Sequence, residues 1–250
     1  MKINNKDLLR YSKQIILKKI GISGQKKILS AKVLVVGAGG LGCPLLLYLA
    51  ATGVGNIGIV DHDKVELPNL NRQILFGEKD IGKHKVKQVK KYLKNINRKI
   101  RVDLFNLKLG ESNIEKTFKK YNIICDCTDN FLTRYLINDY CLKNKKILIS
   151  SAISKFDGHI FNFDFKKKIP CYRCFMPEIP SIERNCETDG ILSTTAGIAG
   201  TLQANEVIKS ILNVNNDLTG KIMIFNALTL NMRKVKLTKN SNCIQDCKKR

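Results

Sequence analysis

The chain has 250 residues, 44% of them hydrophobic, with no apolar run near the ~20 residues needed to cross a bilayer. This excludes a helical membrane protein and suits one α/β domain, 1–250, with appendages. The N-terminus, MKINNKDLLRYSKQ, mixes both charge signs and lacks a long apolar core, so it is no secretory leader and a cytoplasmic protein is expected. The net charge of +23 is spread as scattered lysine pairs, which argues against a dedicated nucleic-acid patch and for solvated faces that still attract an acidic protein or a nucleotide.

Residues 1–30 read as one or two short helices. Residues 32–36, KVLVV, form a buried strand that runs into Gly37-Ala38-Gly39-Gly40-Leu41-Gly42. The apolar stretch 43–51 has helical length, with Gly53 as its C-cap, and 56–60 is a second strand ending in Asp61. A strand, glycine turn, helix and strand make a βαβ unit, so the sheet is expected to be parallel. The rhythm continues with helices at 83–95, 111–120 and 131–143 and strands at 100–105, 122–127 and 147–152. The nucleotide-binding core is therefore placed at 31–165. Residues 158–165 alternate apolar and polar, as an antiparallel strand with one wet face does. Residues 166–250 read as a crossover loop over 170–190, a helix at 195–212, strands at 221–225 and 232–237, and a polar tail. The predicted fold is α/β: a Rossmann-like, mainly parallel sheet with an antiparallel C-terminal extension and a four-cysteine zinc site.

Gly37, Gly39 and Gly42 fit G-x-G-x-x-G between a strand and a helix, the context in which that motif has meaning. Glycine lets a phosphate approach the helix N-terminus, where unpaired N–H groups and the helix dipole favour anions. Asp61 can accept hydrogen bonds from ribose hydroxyls. These residues alone leave an NAD-dependent dehydrogenase open.

The next segments narrow the choice. Asp61-His62-Asp63, Asn69-Leu70-Asn71-Arg72-Gln73, Gly82-Lys83-His84-Lys85 and Asp126-Cys127-Thr128-Asp129-Asn130 follow in order. This set resembles the adenylation domain of the ThiF/MoeB/HesA family of ubiquitin-activating-like enzymes, and the likeness runs from Arg10 to Cys247. It implies an adenylyltransferase that joins the C-terminal carboxylate of a small ubiquitin-like sulfur carrier to the α-phosphate of ATP and releases pyrophosphate. The attacking carboxylate is already ionised, so positioning and charge stabilisation carry the catalysis. The resemblance implies Arg72 and Lys85 at the phosphates, Asn69 hydrogen-bonding them, and Asp129 holding Mg²⁺. It further implies Asp61 on the ribose, Gly40 in close contact with the nucleotide, and Asn130 beside Asp129. By residue type alone, Asp129 and Asn130 could also cap the helix that begins near Phe131.

One departure from the family pattern R-Y-x-R-Q is Arg10-Tyr11-Ser12-Lys13-Gln14. In relatives the second arginine reaches the ATP of the other subunit of a homodimer. Lys13 keeps the charge and loses the bidentate fork, so weaker phosphate support is expected there.

The nine cysteines are an odd number, which argues against a disulfide framework. Cys171 and Cys174 form C-x-x-C, and Cys243 and Cys247 form C-x-x-x-C. Four thiolates in two close pairs suit a structural, tetrahedral Zn²⁺ that ties the tail to the crossover loop. Relatives usually carry C-x-x-C in the second pair as well. Cys43, Cys125, Cys127 and Cys141 lie in apolar runs and read as core. Cys186 stands in a polar E-R-N-C, where the resemblance implies a thiol that attacks the activated carrier in sulfur transfer. Arg10-Tyr11-Ser12, Gln73-Ile74-Leu75-Phe76 and especially Pro180 to Cys186 with its E-R-N-C lean toward the thiamine-pathway member and its carrier ThiS. The alternative is a MoeB-like enzyme serving the carrier MoaD in molybdopterin synthesis. Either reading needs a separate sulfur-donor protein. A zinc-stabilised nucleic-acid binder is the remaining reading of the charge, and it leaves the ordered motifs unexplained.

Overall fold

The computed structural model describes residues 3–178, 190–241 and 243. Three short helices, α1 (Asn5–Arg10), α2 (Ser12–Ile15) and α3 (Gly21–Ser30), precede the sheet, where one or two were expected. Asn4 caps α1 by accepting from the Asp7 amide while the Asp7 side chain accepts from the Asn4 amide, a reciprocal capping box.

The parallel strands are β1 (Lys32–Val36), β2 (Asn56–Val60), β3 (Arg101–Phe105), β4 (Ile123–Asp126) and β5 (Ile147–Ser154). They alternate with α4 (Gly42–Thr52), α5 (Lys85–Ile96), α6 (Glu111–Phe118) and α7 (Phe131–Lys143). Strands β6 (Asp157–Asp164), β7 (Lys221–Asn226) and β8 (Met232–Lys236) then extend the sheet by antiparallel pairing. The order across all eight strands is β3-β2-β1-β4-β5-β6-β7-β8. The chain thus winds outward from β1 to β3 and returns on the other side at β4. The carboxyl ends of β1 and β4 flank the topological switch point, where open α/β sheets bind ligands.

Both faces are covered. One carries Ile28 of α3, Leu45 and Leu49 of α4, Val86 and Val89 of α5, and the apolar face of α9 (Ser193–Leu212). The other carries Phe118 of α6, Tyr135 and Cys141 of α7, and a run of aromatic side chains on β6. Burial on both sides explains why β1 and β4 read as unbroken apolar runs. Helix α4 ends where predicted, at Gly53 with φ 88°.

Two expectations change. Strand β6 has no wet face: Ile160, Phe161, Asn162 and Phe163 are all buried. Its polar residue Asn162 points at α9, where its amide donates to Glu206 Oε2 at 3.0 Å and to Ser210 Oγ at 3.2 Å. The loop predicted at 170–190 contains a short helix, α8 (Tyr172–Phe175); residues 179–189 lie outside the described part of the chain. Strand β8 is the exposed edge, and its Arg233, Lys234 and Lys236 discourage pairing with another strand. No helix among the described residues is long and apolar enough to cross a membrane.

Candidate nucleotide and peptide site

A cavity of about 1120 Å³ runs along the carboxyl ends of the strands. Its centre is the glycine turn. Gly37 has φ 94°, and a Cβ there would lie 2.7 Å from the Cys127 carbonyl oxygen, so β1 and β4 can approach only if this residue is glycine. A Cβ on Gly42 would sit 2.1 Å from the Gly37 carbonyl oxygen. Gly42 therefore shapes the turn from behind and is not on the cavity wall, whereas Gly37, Gly39 and Gly40 are. A Cβ on Gly40 would meet Ala196 at 3.2 Å and the Arg72 side chain at 3.3 Å, so the bare backbone makes room for the arginine.

Beyond β2 lies Asp61, 8% exposed. Its Oδ2 accepts from the Ala38 amide at 2.7 Å and its Oδ1 from the Asp63 amide at 2.8 Å. Burial raises the Asp61 pKa, opposed by the Ala38 hydrogen bond and the charge of Lys85. Lys85, on the first turn of α5, is 5% exposed, and its Nζ pairs with Asp63 Oδ2 at 2.9 Å. The carboxylate is half-exposed while the ammonium is buried, so the pair aims Lys85 at the cavity it lines. Arg72 also lines the cavity; its Nη1 donates to Pro68 O at 3.0 Å and to Asn71 Oδ1 at 3.2 Å.

On the far side of the turn, Asp126 is fully buried at the end of β4. Its Oδ1 accepts from the Thr128 amide at 3.0 Å and from the Thr128 hydroxyl at 2.6 Å. Its Oδ2 accepts from Ser150 Oγ at 2.7 Å and lies 3.3 Å from Arg134 Nη1. Arg134 in turn donates to Ser151 O at 3.0 Å and to Thr128 O at 2.6 Å. This network fixes the turn that presents Asp129, which is exposed on the cavity and makes no salt bridge among the described residues. An exposed carboxylate facing an anion site fits one or two carboxylate ligands for Mg²⁺. Asn130 fills both roles: it lines the cavity and caps α7 by accepting from the Thr133 amide at 2.9 Å.

The structure thus brings Gly37, Gly39, Gly40, Asp61, Arg72, Lys85, Asp129 and Asn130 to one cavity. Besides Gly42, two expected residues lie elsewhere. Asn69 does not line it; its carbonyl accepts from the Arg72 amide at 3.1 Å and from the Gln73 amide at 2.9 Å, so it shapes the turn carrying Arg72. Lys13 is exposed on α2 and does not line the cavity of its own chain. Cys43, Cys125 and Cys141 are core, but Cys127 also lines the cavity, with its thiol pKa raised by burial and its Sγ 3.2 Å from Gln203 Oε1. Asp126 stood in the sequence only as part of the Asp126–Asn130 motif, with no role of its own, and Arg134 and Gln203 were not singled out, although a lone arginine near the start of an apolar helix was there to be noticed.

Away from the cavity, the Sγ atoms of Cys171, Cys174 and Cys243 gather within 4.8 Å of one another. Cys171 is 3.9 Å from Cys174 and 3.7 Å from Cys243. Tetrahedral zinc with bonds of about 2.3 Å sets its sulfurs about 3.8 Å apart, so the three thiols fit that ion. Cys247 and Cys186 lie outside the described residues.

The sequence matches the ThiF family over residues 11–245. Among curated proteins it is 44% identical over 245 residues to the adenylyltransferase and sulfurtransferase MOCS3 of Aedes aegypti, covering 97% of this chain and 56% of that protein. It is 39% identical over 247 residues to the Xenopus laevis protein of the same name, covering 98% of this chain and 54% of that one. The chain spans about half the length of the curated relatives it matches. Among solved structures, Escherichia coli MccB in complex with MccA-N7isoASN superposes with a TM-score of 0.83 at 24% identity, over 97% of this chain and 75% of that one. PaaA superposes with a TM-score of 0.80 at 20% identity, over 95% and 76%. At these identities the two structures establish the fold.

Proposed function

We propose, from the premise that the chain belongs to the ThiF family, that it is an ATP-dependent adenylyltransferase acting on the C-terminal carboxylate of a small ubiquitin-like sulfur carrier. The carboxylate oxygen attacks the α-phosphorus, the bond to the bridging oxygen of the β-phosphate breaks, and pyrophosphate leaves with that electron pair. The products are carrier acyl-adenylate and pyrophosphate, and the protein supplies no nucleophile.

The observation that carries this reading is the convergence of Arg72, Lys85 and Asp129 on the glycine turn. Asp61 holds the ribose hydroxyls, since its remaining lone pairs face the cavity beside the helix N-terminus. Arg72 and Lys85 offset the charge of two anions brought together, and Asp63 keeps Lys85 extended toward them. Asp129 binds Mg²⁺, which supplies charge neutralisation at the phosphate oxygens when bound. Asn130 helps to position the nucleotide next to Asp129. Lys13 acts in the partner's site of a homodimer. Cys171, Cys174, Cys243 and Cys247 hold a structural Zn²⁺ that ties the tail to the segment carrying Tyr172 and Phe175. Cys186 acts in the later transfer of sulfur from a donor protein.

For the carrier, the MoeB-like alternative is favoured over the ThiS reading, because the curated relatives are adenylyltransferase and sulfurtransferase MOCS3 proteins and none of those reported above is a thiamine-pathway protein by name. The test is ATP–pyrophosphate exchange with purified MoaD-type and ThiS-type carriers. Exchange with the MoaD type is expected; exchange with neither would remove the proposed activity. Cys186→Ala is expected to spare exchange and to impair only sulfur transfer.

A further inference from the structure

The cavity has an order set by the sheet. Because the strands run β3-β2-β1-β4-β5-β6, the groups along their ends follow that sequence too. Leu107 and Leu109 follow β3, Asp61 follows β2, the glycine turn follows β1, Asp129 follows β4, and His159 lies on β6. With ribose at Asp61 and phosphates at the glycine turn, the base falls toward β3. The attacking carboxylate must then arrive from the β5–β6 side. This rests on the adenylation reading above.

That side differs in chemistry from the nucleotide side. Its wall is aromatic: His159 packs edge-on to Phe161 at 6.4 Å and to Phe175 at 6.2 Å, and Tyr172 lies 5.6 Å from Phe161. The charged side chains nearby are already committed. Arg134 donates to Ser150, Ser151 and Thr128, and Asp157 accepts from the Asn226 amide at 2.8 Å. Two polar tips remain. Among the described residues, neither the His159 imidazole nor the Tyr172 hydroxyl makes a hydrogen bond, and both residues line the cavity. Burial lowers the His159 pKa below its usual 6.5, with Asp157 pulling it up and Arg134 pushing it down, so the ring is neutral at pH 7. A neutral imidazole offers one donor and one acceptor, and a tyrosine hydroxyl offers both. Polar groups held in an aromatic wall without hydrogen-bond partners among the described residues are suited to a ligand that brings main-chain N–H and C=O groups and no charged side chains.

We propose that His159 and Tyr172 are the substrate-binding residues for the carrier's extended C-terminal tail, hydrogen-bonding its main chain as the carboxylate is threaded toward Asp129. The rings of Phe161 and Phe175, packed edge to face at 5.1 Å, give the tail an apolar wall between these two polar tips. Removing either polar tip weakens capture of the tail and leaves the nucleotide half unchanged.

The test titrates the protein with a MoaD-type carrier ending in Gly-Gly, in the presence of Mg²⁺ and a non-hydrolysable ATP analogue. Nucleotide affinity is measured separately, and the same carrier lacking its last four residues serves as control. Tyr172→Phe and His159→Phe are each expected to weaken carrier binding by roughly 2- to 12-fold, the range of one neutral hydrogen bond. Nucleotide affinity should stay within about 2-fold. His159→Gln, which keeps a donor and an acceptor, should restore most of the loss, and the truncated carrier should not distinguish the variants. Unchanged carrier affinity in both variants overturns the proposal, as does an equal loss of nucleotide affinity. Failure of the wild type to bind the carrier also overturns it. Binding that responds to the variants without any pyrophosphate exchange sustains the tail site and removes the adenylation reading instead.

Discussion

The two halves of the sheet solve different problems. In the parallel half, β1 to β4, each polar group sits in the turn just beyond its strand and is positioned by main-chain groups: Asp61 by the Ala38 amide of the glycine turn and by the Asp63 amide, Asp129 by the Thr128 turn, Arg72 by the turn that begins at Asn69. In the antiparallel half, β5 to β8, side chains on the strands themselves form the wall, and they are positioned by side chains of the helices packed against them. Phe161 meets Tyr172 and Phe175, and Asn162 meets Glu206. The first arrangement suits an anion that must be met by charges at fixed points. The second suits a chain that must be gripped along its length.

The largest effects should separate these halves. The zinc proposed for the cysteine cluster is tested by chelator or by Cys171→Ser, either of which should loosen the packing of α8 and lower the melting temperature by about 10 °C or more; metal analysis and thermal melting check it. Well under one zinc per chain in the wild type would defeat the cluster's assignment. Arg134→Met should destabilise by about 3–5 kcal/mol, because it leaves Asp126 buried without its counter-ion, and chemical denaturation reads it. Asp129→Ala should fold normally and lose about 10²–10³-fold in pyrophosphate exchange, since its carboxylate is exposed and bears no structural load. A folded Asp129→Ala that keeps full exchange would blur the division between the halves.

The smallest effect lies at the remote edge, on β3. Burial pushes the Asp103 pKa up, but hydrogen bonds from Lys120, Arg101 and Tyr121 outweigh it and hold it at about 2. The folded pKa is depressed, so the stabilisation is full above the unfolded value of 3.8 and is lost as pH falls toward 2. Asp103→Asn should cost no more than about 2 kcal/mol at pH 7, after solvent screening of the exposed Arg101, and should flatten the acid limb of the stability curve.

The same contrast governs what could be read in advance. The glycine turn and Asp61 are contiguous words whose spacing pointed to a nucleotide, and the resemblance of the Asp126–Asn130 turn to the family motif implied a place beside them. Asn69 and Gly42 belong to those words, yet they shape backbone and do not line the cavity, because a motif records what a turn needs as well as what a ligand needs. Strand β6 looked half-wet since Asn162 is polar; its burial depends on α9, which follows it by some 30 residues and supplies Glu206. Arg134 and Gln203 were hidden for the same reason: a single polar residue in an apolar helix declares a buried partner without saying which. His159 stands in no motif and Tyr172 only between the cysteines of C-x-x-C, and the two reach one cavity through antiparallel pairing and the fold-back of α8.

The central claim is that nucleotide lies across the strand ends with its α-phosphate between the cations at Arg72 and Lys85 and the carboxylate of Asp129. A crystal structure with Mg²⁺ and a non-hydrolysable ATP analogue tests it most directly. The account predicts ribose on Asp61, phosphates over Gly39 and Gly40, and the metal on Asp129. A triphosphate bound away from all three charged side chains would contradict it.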